Sequence, residues 1–283
     1  CMEDAFIDSP WRERAQWWGD ARVSSRSAYY AFNDTKLLAQ GLRQIASSQD
    51  KRGSVLGLYP SGEEIVAPDF ALLWVFSILD YFGFTDDPEL VRDLYPAVEG
   101  LLDWFSHYEN ADGMLEDVPG ALLIDRAELE RKGEVTSLNC LYYQALRVAS
   151  ALADIAGKED AASDFVEKAN RLKVCINKFL YVPRRGLYAE GRSDGQLVEK
   201  FSRQTNTFAA LFDIADQYQK AGIFRILSNG SLPEVATPYF GSFYLEALYS
   251  VDAHDRALQY IRRKWGEMVK SGSMTLWENF SSD

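Results

Sequence analysis

The sequence predicts an all-α chain whose helices come in pairs and close into a ring. Three observations carry that expectation. About ten segments repeat apolar residues at helical spacing, and most are joined by short loops. Strand signals are confined to a few short stretches. Paired helices recur at roughly 40–50 residues, a period shared with helical solenoids, but the solenoid consensus residues are missing and the loops are too aromatic.

The segments follow in order. Residues 33–49 place Leu37, Leu38, Leu42 and Ile45 on one helical face, with Asn33 and Asp34 as candidate N-caps. Residues 68–83 open with Pro68 and Asp69, run through an apolar stretch and stop at Gly83. Residues 87–108 read as a helix pair or an interrupted helix, with Pro96 as the break. Residues 137–157 and 159–180 form a helical hairpin around Gly157 and Lys158. Segments 203–218, 219–229, 239–250 and 253–270 continue the series. Residues 185–190 and 196–199 suit a small β-hairpin, with the Gly191–Gly195 run as its turn. The longest irregular stretch is 111–135, and loops of that length in helical proteins usually carry function. Composition shows no linker, so residues 1–283 read as one domain, with termini that look excised from a larger protein.

Composition limits the function. The formal net charge of −12 argues against a nucleic-acid partner, which needs clustered Lys and Arg. No run of 18 apolar residues is present to span a membrane. The 3 cysteines are odd in number and form no CxxC pair, so neither a disulfide framework nor a zinc site is expected; Cys140 and Cys175 read as packing. No metal-ligand cluster, phosphate loop or serine-nucleophile elbow occurs, and no cofactor is expected. His107 and His254 read as surface or helix-end residues.

Two segments concentrate chemistry. Residues 8–20 (DSPWRERAQWWGD) hold Asp8, Arg12, Glu13, Trp17 and Asp20. A helix starting near residue 10 would put Glu13, Trp17 and Asp20 on one face. Two carboxylates and an indole there suit a sugar subsite; a surface helix with Glu–Arg pairs is the plainer reading, weakened by the two adjacent tryptophans. At the other end, residues 272–280 (GSMTLWENF) place Glu278 beside Trp277 and Phe280, where burial among rings would raise its pKa. Glycoside hydrolysis uses two carboxyl groups flanking the scissile bond. In a ring of hairpins the two chain ends meet, so Glu13 and Glu278 could face one another.

The run Asp8-Ser9-Pro10-Trp11-Arg12-Glu13-Arg14, then Trp17 and Gly19-Asp20, resembles the motif Asp-Cys-Pro-x-Arg-x-Glu, Trp, Gly-Asp of the bacterial α-L-rhamnosidases. The tail Met274-Thr275-Leu276-Trp277-Glu278 resembles their Ala-Thr-Thr-x-Trp-Glu signature. Gln204-Thr205-Asn206, Pro238-Tyr239-Phe240 and Trp265-Gly266 followed by Met268 fall between in the same order. The resemblance implies an (α/α)6 barrel and an inverting hydrolase that removes terminal α-L-rhamnosyl residues. It makes Glu13 the general acid and Glu278 the general base. It makes Asp8, Arg12, Trp17, Asp20, Asp69, Asp125 and Trp277 sugar contacts. It implies a rhamnose-containing carbohydrate as substrate and accessory β-domains in the same chain. Ser9 departs from the motif's Cys, Trp18 stands where Thr is frequent, and Asp125-Arg126 stands where Asp-Trp is expected. Another hairpin-ring glycosidase with different sugar specificity, or a non-catalytic carbohydrate-binding helical domain, remains open on the residues alone.

Overall fold

The computed structural model describes residues 4–9 and 11–280. Among them are ten helices and five strands of two or three residues, so the chain is all-α as expected. By backbone contacts it sorts into two compact units. The first holds residues 1–123, 132–134 and 141–175; the second holds 124–131, 135–140 and 176–283. The boundary is crossed inside two helices, after Cys140 and after Cys175, which is why no linker composition marks it.

In the first unit, α1 (Trp18–Phe32), α2 (Lys36–Ser47), α3 (Pro68–Thr85) and α4 (Pro88–Ser106) pack together, with α3 against the other three. That central place explains α3's composition. Phe70, Leu72, Leu73, Trp74, Val75 and Ile78 are all buried, so the helix is apolar on every side. Gly19 lets α1 approach it: a Cβ there would lie 2.4 Å from the Phe70 ring.

Several boundaries differ from the sequence expectation, each for a local reason. The first helix starts at Trp18 instead of near residue 10, because Trp17 is extended and bridges Leu58 while Trp18 N–H donates to Gly57 O (2.9 Å). Asn33 is the left-handed C-cap of α1, not a cap for α2 (φ 53°). The left-handed Asp86 ends α3, past Gly83. Pro96 lies inside a continuous α4, because the buried stripe Leu90, Leu94, Val98, Leu101 and Phe105 runs through it and outweighs one missing hydrogen bond.

The hairpin α5 (Thr136–Ala156) and α6 (Glu159–Leu180) forms around Gly157, which is left-handed (φ 74°), and a short strand β1 (Glu134–Val135) precedes it. In the second unit, β2 (Tyr181–Val182) pairs antiparallel with β3 (Leu187–Tyr188), and β4 (Gly191–Ser193) with β5 (Gln196–Val198). The latter hairpin turns on Asp194 and Gly195, both at positive φ; Gly191–Ser193, expected as turn, is strand β4, and the 185–190 stretch expected to pair with 196–199 gives β3 to β2 instead. Helices α7 (Arg203–Leu211), α8 (Gln217–Ser228), α9 (Pro238–Tyr249) and α10 (His254–Lys270) follow. The break between α7 and α8 falls earlier than expected. Asp213 turns left-handed, and Asp216 starts α8 through a capping box with Gln219.

Cys140 is buried and free, and burial pushes its thiol pKa up; Cys1 lies outside the described residues. No helix of the described residues is long and apolar enough to cross a membrane.

Candidate active site

In the first unit the Asp8–Glu13 loop is built on its own hydrogen bonds. Asp8 N–H donates to Ala15 O, and Ala15 N–H donates back to Asp8 Oδ1, both at 3.0 Å. Gln16, buried, donates to Gln44 Oε1 (2.9 Å) and Tyr59 O (2.7 Å) and pins the strand-like approach to α1. Residues 11–13 form a turn, and Arg14 takes a left-handed conformation (φ 49°). Glu13 is therefore not on the helix, and the single face expected for Glu13, Trp17 and Asp20 does not form. Contact replaces periodicity: the Trp17 indole N–H donates to Glu13 Oε2 (3.0 Å), and Arg12 Nε lies 3.4 Å from Oε1. Trp17 packs edge-on to Phe70 (6.1 Å), and Asp20 sits in the first turn of α1.

The electrostatics separate the two carboxyls. For Asp8, burial acts upward, but hydrogen bonds from the Ala15 amide, Glu13 and Ser9 outweigh it and hold the pKa below the usual range. For Glu13, the hydrogen bond with Asp8 is the largest influence. With burial and the Asp8 charge, it raises the pKa against the Trp17 indole and Arg12. Two carboxyls sharing one proton cannot both ionise freely. Asp8 already accepts from Ala15 and Ser9, so of the two carboxyls Glu13 is the one whose protonated form is favoured. Asp69, in the first turn of α3, is buried, and its Oδ2 accepts from Leu123 N–H (2.8 Å).

In the second unit Asp125 is 4% exposed and fully bonded. Oδ1 accepts from Arg126 N–H (2.8 Å) and Thr237 Oγ1 (2.7 Å); Oδ2 accepts from Gln204 Nε2 (2.6 Å) and Ala236 N–H (3.2 Å). A carboxylate has about four lone-pair sites, and protein donors fill them. These bonds make Asp125 a structural clamp of the second unit. Thr237, which caps α9 by accepting from Phe240 N–H (3.1 Å), is held by the same carboxylate.

The segment carrying the other glutamate follows α10. Phe280 N–H donates to Ala236 O (2.8 Å), and its ring packs on Trp265 (4.9 Å). Trp277 Nε1 donates to Ser273 Oγ (3.0 Å). Glu278 is not shut among rings as expected: its side chain is 48% exposed and paired with Arg126 Nη2. Beside this pair lies a cavity of about 340 Å³ lined by Arg126, Glu234, Lys264, Asn279 and Phe280. Burial acts to raise the Glu234 pKa, but Arg263, Arg203 and Lys264 outweigh it and lower it.

Arg126 and Gln204 stood in the motifs without a role of their own, and sequence reasoning missed Thr237 and the buried Glu190, which accepts from Ser202 Oγ (2.5 Å). Only Thr237-Pro238, a helix-start signature, was open to reading. No group of three His, Cys, Asp or Glu among the described residues is placed to hold a metal.

The whole chain, residues 1–283, matches the family model described as the bacterial α-L-rhamnosidase six-hairpin glycosidase domain. No curated protein matches it. Among solved structures it is similar to the GH78 family rhamnosidase of Bacillus sp. GL1, with a TM-score of 0.95 and 29% identity. That match covers 100% of this chain and 30% of the Bacillus chain. A rhamnosidase from Klebsiella oxytoca, solved with rhamnose bound, matches with a TM-score of 0.89 and 24% identity over 100% of this chain and 55% of its own. An α-L-rhamnosidase from Dictyoglumus thermophilum matches at 0.82 and 17%, over 100% of this chain and 32% of its own. The fold class is that of the six-hairpin glycosidases, the (α/α)6 barrel.

Proposed function

We propose, for a chain that belongs to the bacterial α-L-rhamnosidase six-hairpin glycosidase family, hydrolysis of terminal α-L-rhamnosyl residues with inversion. Glu13 is the general acid and Glu278 the general base. One observation above all supports the acid: the hydrogen bond with Asp8 raises the Glu13 pKa while that of Asp8 is lowered, so Glu13 is the carboxyl of the pair that gains a proton more readily. The exposed Glu278 suits the opposite task, since water must reach a base. In the step itself, Glu278 takes a proton from water as the water oxygen bonds to the anomeric carbon. The glycosidic C–O bond breaks, and its electron pair takes the proton of Glu13. Asp8, Arg12, Asp20 and Asp69 offer polar contacts to sugar hydroxyls, and Trp17 and Trp277 apolar surface for the ring. The substrate is a rhamnose-bearing glycan or glycoside, and accessory β-domains of a longer chain would flank this one.

A panel of aryl α-L-rhamnoside, α-L-fucoside and glucosides tests the specificity, with turnover expected of the first alone. Proton NMR of the first sugar released tests the mechanism. β-L-rhamnose is expected; the α-anomer would mean a retaining enzyme, whose carboxyls lie only about 5–5.5 Å apart.

A further inference from the structure

We propose that Arg126 is the positioning residue of Glu278, a role that rests on Glu278 being the general base. Its guanidinium contacts Glu278 Oε1. With Oε1 held by the guanidinium, the carboxylate plane is set against rotation.

The support behind Arg126 is stiffer than a surface ion pair needs. Its neighbour Asp125 is clamped by Gln204, Thr237 and the Ala236 amide, and the Asp125 carbonyl accepts from Arg131 Nη2 (3.3 Å). The other charges bordering the cavity are Glu234 and Lys264. They pair with each other at 3.3 Å, and Arg263 also pairs with Glu234 at 2.9 Å. Lys264 is thus directed to Glu234. The motif resemblance places an aromatic at position 126, so the guanidinium is a feature of this chain, and it stands where it meets Glu278.

The experiment measures kcat and KM on an aryl α-L-rhamnoside for the protein containing this domain, with Arg126→Met, Arg126→Lys and Glu278→Gln. A misplaced catalytic group costs up to about 100-fold, so Arg126→Met is expected to lower kcat about 10- to 100-fold at nearly unchanged KM. Arg126→Lys, which keeps the charge and loses the planar fork, recovers part of that loss. The melting temperature should not move, since both partners are half-exposed. Should Arg126→Met fail to fold, Arg126→Lys decides: a lower kcat at constant KM supports the role, and a wild-type kcat overturns it. A raised KM with wild-type kcat in either variant would show Arg126 binding substrate and overturn it too. If Glu278→Gln keeps wild-type kcat, the base assignment falls and this role with it. If Glu278→Gln is inactive and the Arg126 variants are unaffected, only the Arg126 role falls.

Discussion

Replacing Asp125 with Ala should unfold the second unit more easily, not merely weaken sugar binding. The carboxylate is 4% exposed and receives Gln204 Nε2 at 2.6 Å, Thr237 Oγ1 at 2.7 Å and Ala236 N–H at 3.2 Å, besides the adjacent Arg126 amide. Hydrogen bonds to a charged group contribute about 1.5–3 kcal/mol each, and a stranded buried donor costs a similar amount. Three such donors do not add fully, because water can enter the volume left by a carboxylate. A loss of about 3–5 kcal/mol is the expectation. At about 2–4 °C per kcal/mol for a domain of this size, Tm should fall by roughly 6–20 °C. Asp125→Asn should fall between, since its amide group must face two donors wherever it turns. Urea unfolding followed by tryptophan fluorescence and by circular dichroism measures both variants. A loss below about 1 kcal/mol, or intact stability with a raised KM alone, would refute the clamp and return Asp125 to the sugar contacts.

Glu13→Gln and Glu278→Gln should each lower hydrolysis of unactivated rhamnosides at least roughly 10³-fold; an activated aryl leaving group should partly rescue only Glu13→Gln, and the reverse pattern would exchange their roles. Asp8→Asn removes the partner that raises the Glu13 pKa, so the basic limb of kcat/KM should move to lower pH; a limb that stays in place, or moves up, would separate Asp8 from the acid. Gly19→Ala would push a methyl to 2.4 Å from the Phe70 ring; overpacking of this kind costs about 1–3 kcal/mol, and calorimetry showing no loss would mean that α1 and α3 can part freely.

Helical periodicity was open to reading wherever burial is one-sided. The Leu38, Leu42 and Ile45 face of α2 is buried as its spacing says, and the α5–α6 hairpin turns at Gly157. Caps made by residues next to the helix were open too, as at Thr237-Pro238. The motif residues Glu13 and Glu278 stand out because acidic groups beside tryptophans are unusual in composition. Their environments are another matter. Spacing put Glu13 on a helix, but a bridge from Trp17 to Leu58, forty-one positions away, keeps residues 11–17 out of it. Asp125 and Arg126 are adjacent in sequence with opposite fates. One is buried among donors from residues 204, 236 and 237, and the other is exposed and reaches Glu278. Local pattern determines which stretches coil and where they can stop, because those energies act within one or two turns. Which carboxylate is saturated and which meets a guanidinium depends on groups brought close from far along the chain, and only the tertiary structure decided them.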